Sequence, residues 1–105
     1  MKEKDSKVAE RFKSLVSKRV PVYKMLVFGS RSRDEGTSDS DLDILVVVKT
    51  LDHETESYIS KCAWEAGFPY DLVVVPITIS KESLEKGPIR QSAFIKNVYR
   101  EGISI

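Results

Sequence analysis

Cysteine and histidine are nearly missing from this chain: Cys62 and His53 stand alone among 105 residues. One cysteine excludes an internal disulfide, and one Cys with one His cannot build a Cys/His zinc centre. A reducing, cytoplasmic setting fits that thiol usage. Long apolar runs are also lacking. None approaches the length that spans a bilayer, so no membrane role is expected, and the charged start Met1-Lys2-Glu3-Lys4-Asp5 leads into no signal-like apolar segment. Charge has no dominant sign, since 17 Lys and Arg face 16 Asp and Glu. That balance supplies no electrostatic track for a polynucleotide and no polybasic membrane anchor. Repeats, low-complexity tracts and linker-like stretches are absent as well. Residues 1–105 are therefore expected to form one domain with a modest core.

What is present is a sequence of short periodic segments. Val8, Phe12, Leu15 and Val16 fall at helical spacing among charges, predicting an amphipathic helix over 3–19 that Pro21 stops. Strands are expected over 23–28 and 42–48, the second apolar on both faces and hence central in its sheet. Asp52 suits the N-cap of a helix over about 53–66, closed by Gly67. A third strand is read over 70–76, with Pro76 and Ile77 leaving the sheet. Ser80 caps a short turn over 81–86, and Pro88 opens a last helix to about Arg100. Ile103-Ser104-Ile105 is a tail that suits an edge strand. The order predicts an α/β fold: a small mixed sheet of three to four strands with flanking helices.

The chemistry sits between the first two strands. An apolar run ends at Gly29-Ser30, ten residues intervene (31–40), and Asp41-Leu42-Asp43 then enters the next apolar run. Alternate residues of a strand share a face, so Asp41 and Asp43 point the same way. Two carboxylates held together make each other harder to ionise, and a divalent cation removes that penalty. Oxygen-only ligands suit Mg²⁺ or Mn²⁺. A Gly-Ser turn can present backbone N–H groups and a hydroxyl to phosphate oxygens. Phosphate cradle and metal carboxylates together point to chemistry on a nucleoside triphosphate. Asp71, at the expected start of the third strand, is the third carboxylate and the best-placed candidate general base. Three acids could hold two cations for in-line displacement at phosphorus.

These residues resemble the minimal nucleotidyltransferases of the DNA polymerase β superfamily. Their pattern is Gly-Ser, a spacer of about ten residues, Asp-hydrophobic-Asp on the next strand, and a later Asp on a third. Ser40-Asp41-Leu42-Asp43 matches the Ser-Asp-Ile-Asp core. Gly29-Ser30-Arg31-Ser32-Arg33 matches Gly-Ser-Arg-Ala-Arg, with Asp34 standing where the pattern has a glycine. The resemblance implies a polymerase β-like nucleotidyltransferase fold, triphosphate binding at Gly29 and Ser30, Mg²⁺ binding at Asp41 and Asp43, and an acidic triad completed by Asp71. It further implies that the chain is an antitoxin paired with a HEPN-domain toxin, able to move AMP from ATP to a tyrosine of that partner.

Blander readings stand beside these. Asp41 and Asp43 could be two exposed acids, Gly29-Ser30 an ordinary turn, and Asp71 a solvated strand entrance. Arg31 and Arg33 are candidates for phosphate or partner contacts, because a guanidinium grips phosphate bidentately; they could instead pair with Asp34 and Glu35. Asp39 reads as a loop residue outside the site, with Gly36 able to compensate for the missing glycine at 34. His53 reads as a surface residue, Cys62 as core, and Trp64 as an exposed helix face or contact surface. The apolar helix faces are compatible with a homodimer. A non-catalytic binding module that neutralises a partner by complex formation is the alternative to the enzyme.

Overall fold

The structure is a computed structural model and describes residues 1–35 and 40–105; Gly36 and Asp39 lie outside the described residues. Helix α1 spans Glu3–Ser17, and strand β1 spans Val22–Phe28. A single 3-10 turn at Ser30–Arg33 leads towards β2, Leu42–Val48. Helix α2, His53–Gly67, crosses over to β3, Val74–Ser80. Helix α3, Lys81–Lys86, a 3-10 turn at Pro88–Gln91, α4, Ala93–Glu101, and β4, Ile103–Ser104, complete the order. The strands lie in the order β3-β2-β1-β4. β2 runs antiparallel to β1 and parallel to β3, so the sheet is mixed.

Alternation in β2 divides the core in two. Leu42, Ile44, Val46 and Val48 face α1 and α2, where they meet Val8, Phe12, Val16, Ile59, Cys62 and Ala66. Leu45 and Val47 face the other way, onto Leu84 of α3 and Ile95 and Val98 of α4. A strand buried on both faces must read as a continuous apolar run, which is why β2 appears in the sequence with its observed bounds.

Two expected elements are corrected. The third strand lies at Val74–Ser80, four residues later than expected, and Pro76 and Ile77 stay within it. β3 is an edge strand. The Leu42 N–H donates to the Val73 carbonyl, so odd-numbered residues of β3 turn their backbone groups towards β2 and Pro76 faces the open edge. A residue without an N–H costs no ladder bond there. The last helix starts at Ala93 rather than Pro88. Pro88 opens the separate turn, and the Ser92 hydroxyl accepts from the Ile95 N–H at 3.2 Å as the N-cap. The expected caps at Asp52 and Ser80 are present, accepting from Thr55 N–H at 2.8 Å and Ser83 N–H at 3.1 Å. Gly67 is the last residue of α2 rather than its C-cap, which is Phe68, and glycine is required there for packing: a Cβ would stand 1.9 Å from the Leu72 carbonyl oxygen.

Candidate active site

The site forms where β1 ends and β2 begins. Antiparallel pairing sets Phe28 opposite Asp43, which carries Gly29 past the Asp43 side chain. Gly29 has φ +81° and ψ −168°, a conformation open essentially to glycine alone. A Cβ on it would stand 2.6 Å from Asp43 Oδ2. Backbone and carboxylate therefore meet at a distance that any side chain at 29 would spoil. The turn after it is braced internally, with the Ser32 hydroxyl donating to the Gly29 carbonyl at 2.6 Å and the Ser32 N–H donating to the same oxygen at 3.2 Å.

Asp41 is exposed and Asp43 half-buried. Asp41 immediately precedes β2 and Asp43 lies within it, and by alternation both belong to the face that carries Leu45 and Val47. Burial first, and then the charge on Asp41, push the Asp43 carboxyl above the usual carboxylate range. A site that disfavours its own second negative charge is a site that gains from a cation. On one flank Phe28 packs edge-to-face with Phe94, ring centroids 5.4 Å apart. On the other flank the parallel register pairs Asp43 with Val75, and Val73 stands alongside Asp41 with 56% of its surface exposed.

A family model described as a nucleotidyltransferase domain matches residues 6–104. The chain belongs to the nucleotidyltransferase-domain family. Its fold is shared with solved toxin–antitoxin structures. One, determined with AMP-PNP, aligns at 20% identity over 91% of this chain and 70% of that one, with a TM-score of 0.62. A MntA–HpeT toxin–antitoxin mutant aligns at 18% identity over 91% and 70%, with a TM-score of 0.60. A tri-AMPylated Shewanella oneidensis HEPN toxin in complex with MNT antitoxin aligns at 18% identity over 95% and 70%, with a TM-score of 0.57. A search of the curated proteins finds no match.

Not all seven residues singled out in this nucleotidyltransferase domain come together. Gly29, Asp41 and Asp43 do, with Ser30 opening the adjoining turn. Asp71 is not at the start of β3. It is exposed, in a left-handed turn (φ 52°) that follows the 3-10 segment Phe68–Tyr70, three residues ahead of the strand. Among the described residues, no group of three potential metal ligands assembles. Arg33 is exposed and bonds Glu35 and Glu101, each at 3.0 Å, which hold its guanidinium in the charged form. Arg31 is buried and pairs with Asp5 of α1 at 2.8 Å, while its Nε donates to the Ser40 carbonyl at 2.7 Å. Asp34 takes the left-handed conformation, φ 59°, that a glycine would adopt freely and that Asp tolerates better than most residues.

Two further residues pack around this turn with little local signal in the sequence. Ser32 braces the turn, and its signal was a hydroxyl three residues after Gly29. Asp5 is 1% exposed, and its signal was position: it precedes Val8, Ala9, Phe12 and Val16 on the buried stripe of α1, where a lone acid needs a partner.

The residues at the start of β2 fit a divalent cation. Their donors are carboxylate oxygens on one strand face, and their charge is the group that the surroundings disfavour.

Proposed function

We propose that this protein is a Mg²⁺- or Mn²⁺-dependent nucleotidyltransferase that moves AMP from ATP to a hydroxyl of a partner protein, and that the partner is a HEPN-domain toxin for which it serves as antitoxin. The observation that carries the reading is the approach of the Gly29 backbone to Asp43, with Asp41 on the same strand face. The AMP-PNP bound by one similar toxin–antitoxin pair and the tri-AMPylated HEPN toxin of another support the nucleotide and the acceptor.

In this reading Gly29 leaves room for phosphate oxygens beside the turn, and Ser30 offers them its hydroxyl and N–H. Asp41 and Asp43 would hold the metal. When bound, the metal supplies charge stabilisation at the phosphates and lowers the pKa of the attacking hydroxyl. The acceptor oxygen forms the new bond to the α-phosphorus, the bond to pyrophosphate breaks, and the acceptor proton passes to a carboxylate. Asp71 is the proposed base and third acid. Its turn borders the same end of the sheet, because β2 and β3 are parallel. Arg33 is free to exchange its exposed carboxylate partners for phosphate oxygens of the nucleotide or partner.

The test is transfer from α-³²P-ATP with Mg²⁺ to a co-expressed HEPN partner. Label on the partner with the wild type and none with Asp41→Asn/Asp43→Asn is the expected result; equal labelling by both would sink the reading. The second reading is a binding module without catalysis. The separation of Asp71 from the carboxylate pair favours it. It predicts that an Asp41→Asn/Asp43→Asn/Asp71→Asn variant still neutralises the partner in cells.

A further inference from the structure

The Asp5–Arg31 pair is the most deeply buried ionic contact described, with side chains 2% and 7% exposed. Arg31 lies in the turn that follows Gly29-Ser30, and Ser40 immediately precedes Asp41. One guanidinium thus links three places: α1 through Asp5, the turn through its own backbone, and the approach to Asp41 through the Ser40 carbonyl. Arg33, the other arginine of the turn, is exposed and pairs at the surface with Glu35 and Glu101. A buried ion pair brings little net stability over an apolar replacement, so fixing a geometry is the better account of its presence.

We propose that Asp5 is a positioning residue for metal and nucleotide binding. It acts through Arg31, whose planar fork holds the Ser40 carbonyl and so sets where Asp41 enters the site. Arg31 then serves the site from behind, through Asp41, rather than by touching phosphate. The proposal rests on the nucleotidyltransferase reading above.

The experiment measures Mn²⁺ affinity by electron paramagnetic resonance and affinity for a fluorescent ATP analogue, alongside thermal unfolding, in wild type, Asp5→Asn, Arg31→Lys and the double variant. Arg31→Lys keeps a cation for Asp5 but loses the fork that also reaches Ser40, which keeps the test usable if Asp5→Asn folds poorly. The expected result is a loss of Mn²⁺ affinity of about tenfold in Arg31→Lys, of the size seen when groups supporting metal ligands are removed. Asp5→Asn should lose a similar amount, and the double variant no more than either single one. Wild-type affinities for Mn²⁺ and nucleotide in folded Arg31→Lys, with only the unfolding temperature lowered, would overturn the proposal and leave the pair a structural one. Absence of Mn²⁺ and nucleotide binding in the wild type would overturn the nucleotidyltransferase reading itself.

Discussion

β2 and β3 start at the same end of the sheet, run in the same direction and each carry or follow an acid, yet they deliver those acids differently. β2 is central. Both of its neighbours and both faces constrain it, so Asp41 and Asp43 enter the site at a fixed register against Phe28 and Gly29. β3 is an edge strand entered from a 3-10 turn, and Asp71 sits in the left-handed residue that ends the turn. The sheet position beside Asp43 is filled by Val75, and the Val73 carbonyl just ahead of β3 accepts from the Leu42 N–H. An acid is placed by what surrounds its backbone on both sides, not by its distance in sequence from an apolar run.

The comparison breaks most sharply at β2. Asp41→Asn or Asp43→Asn should cost transfer activity by about three orders of magnitude or more, because in the proposed mechanism a metal held there would supply both charge stabilisation and an activated hydroxyl. Circular dichroism should show either variant folded. Gly29→Ala comes next, with a loss of roughly a hundredfold, since the added methyl meets Asp43 Oδ2 in a backbone conformation that alanine resists. Asp71→Asn sharpens the contrast. Since Asp71 is the proposed base, the substitution should cost about a hundredfold or more in a steady-state assay; a loss within about tenfold would mean that the turn at 71 persists in the complex with nucleotide and that Asp71 is not the base.

A subtler effect concerns pH. The folded Asp43 carboxyl titrates above its unfolded value, so between those values the folded state binds more protons than the unfolded one. Stability of the metal-free protein should therefore fall as pH rises from the ordinary carboxylate range through the raised one. Asp43→Asn should flatten that dependence and raise the unfolding temperature at neutral pH, and Mg²⁺ should raise the wild type but not the variant. Differential scanning calorimetry across pH with and without Mg²⁺ checks both. The smallest effect is expected at Asp34→Gly, which relieves a left-handed Asp at the cost of a freer unfolded chain and should shift stability by no more than about 1 kcal/mol in urea titration.

Much of this was legible in the residues. The burial of β2 on two faces wrote itself as Leu-Asp-Ile-Leu-Val-Val-Val, and a strand with that pattern has little freedom of register. Asp52 and Ser80 announced two helix starts through their cap chemistry. β3 was harder. The run Asp-Leu-Val-Val-Val looks like a strand from its first residue, but Leu72 is instead buried against the α1–α2 side while the chain is still turning. Pro76 read as a terminator because an edge position is a property of the whole sheet, not of the local sequence. Ser92 is masked as a cap by Pro88, which offers an earlier helix start. The Asp5–Arg31 pair joins positions 26 residues apart, and only the packing of α1 against the turn reveals it.

Pro76 has one more consequence. An edge strand of seven residues is a template on which another chain could add a strand and seed aggregation. With Pro76 turned to the open edge, that template lacks a donor at its middle, and an incoming strand would find its ladder interrupted there. The residue that disguised β3 in the sequence also guards its outer side against unwanted pairing.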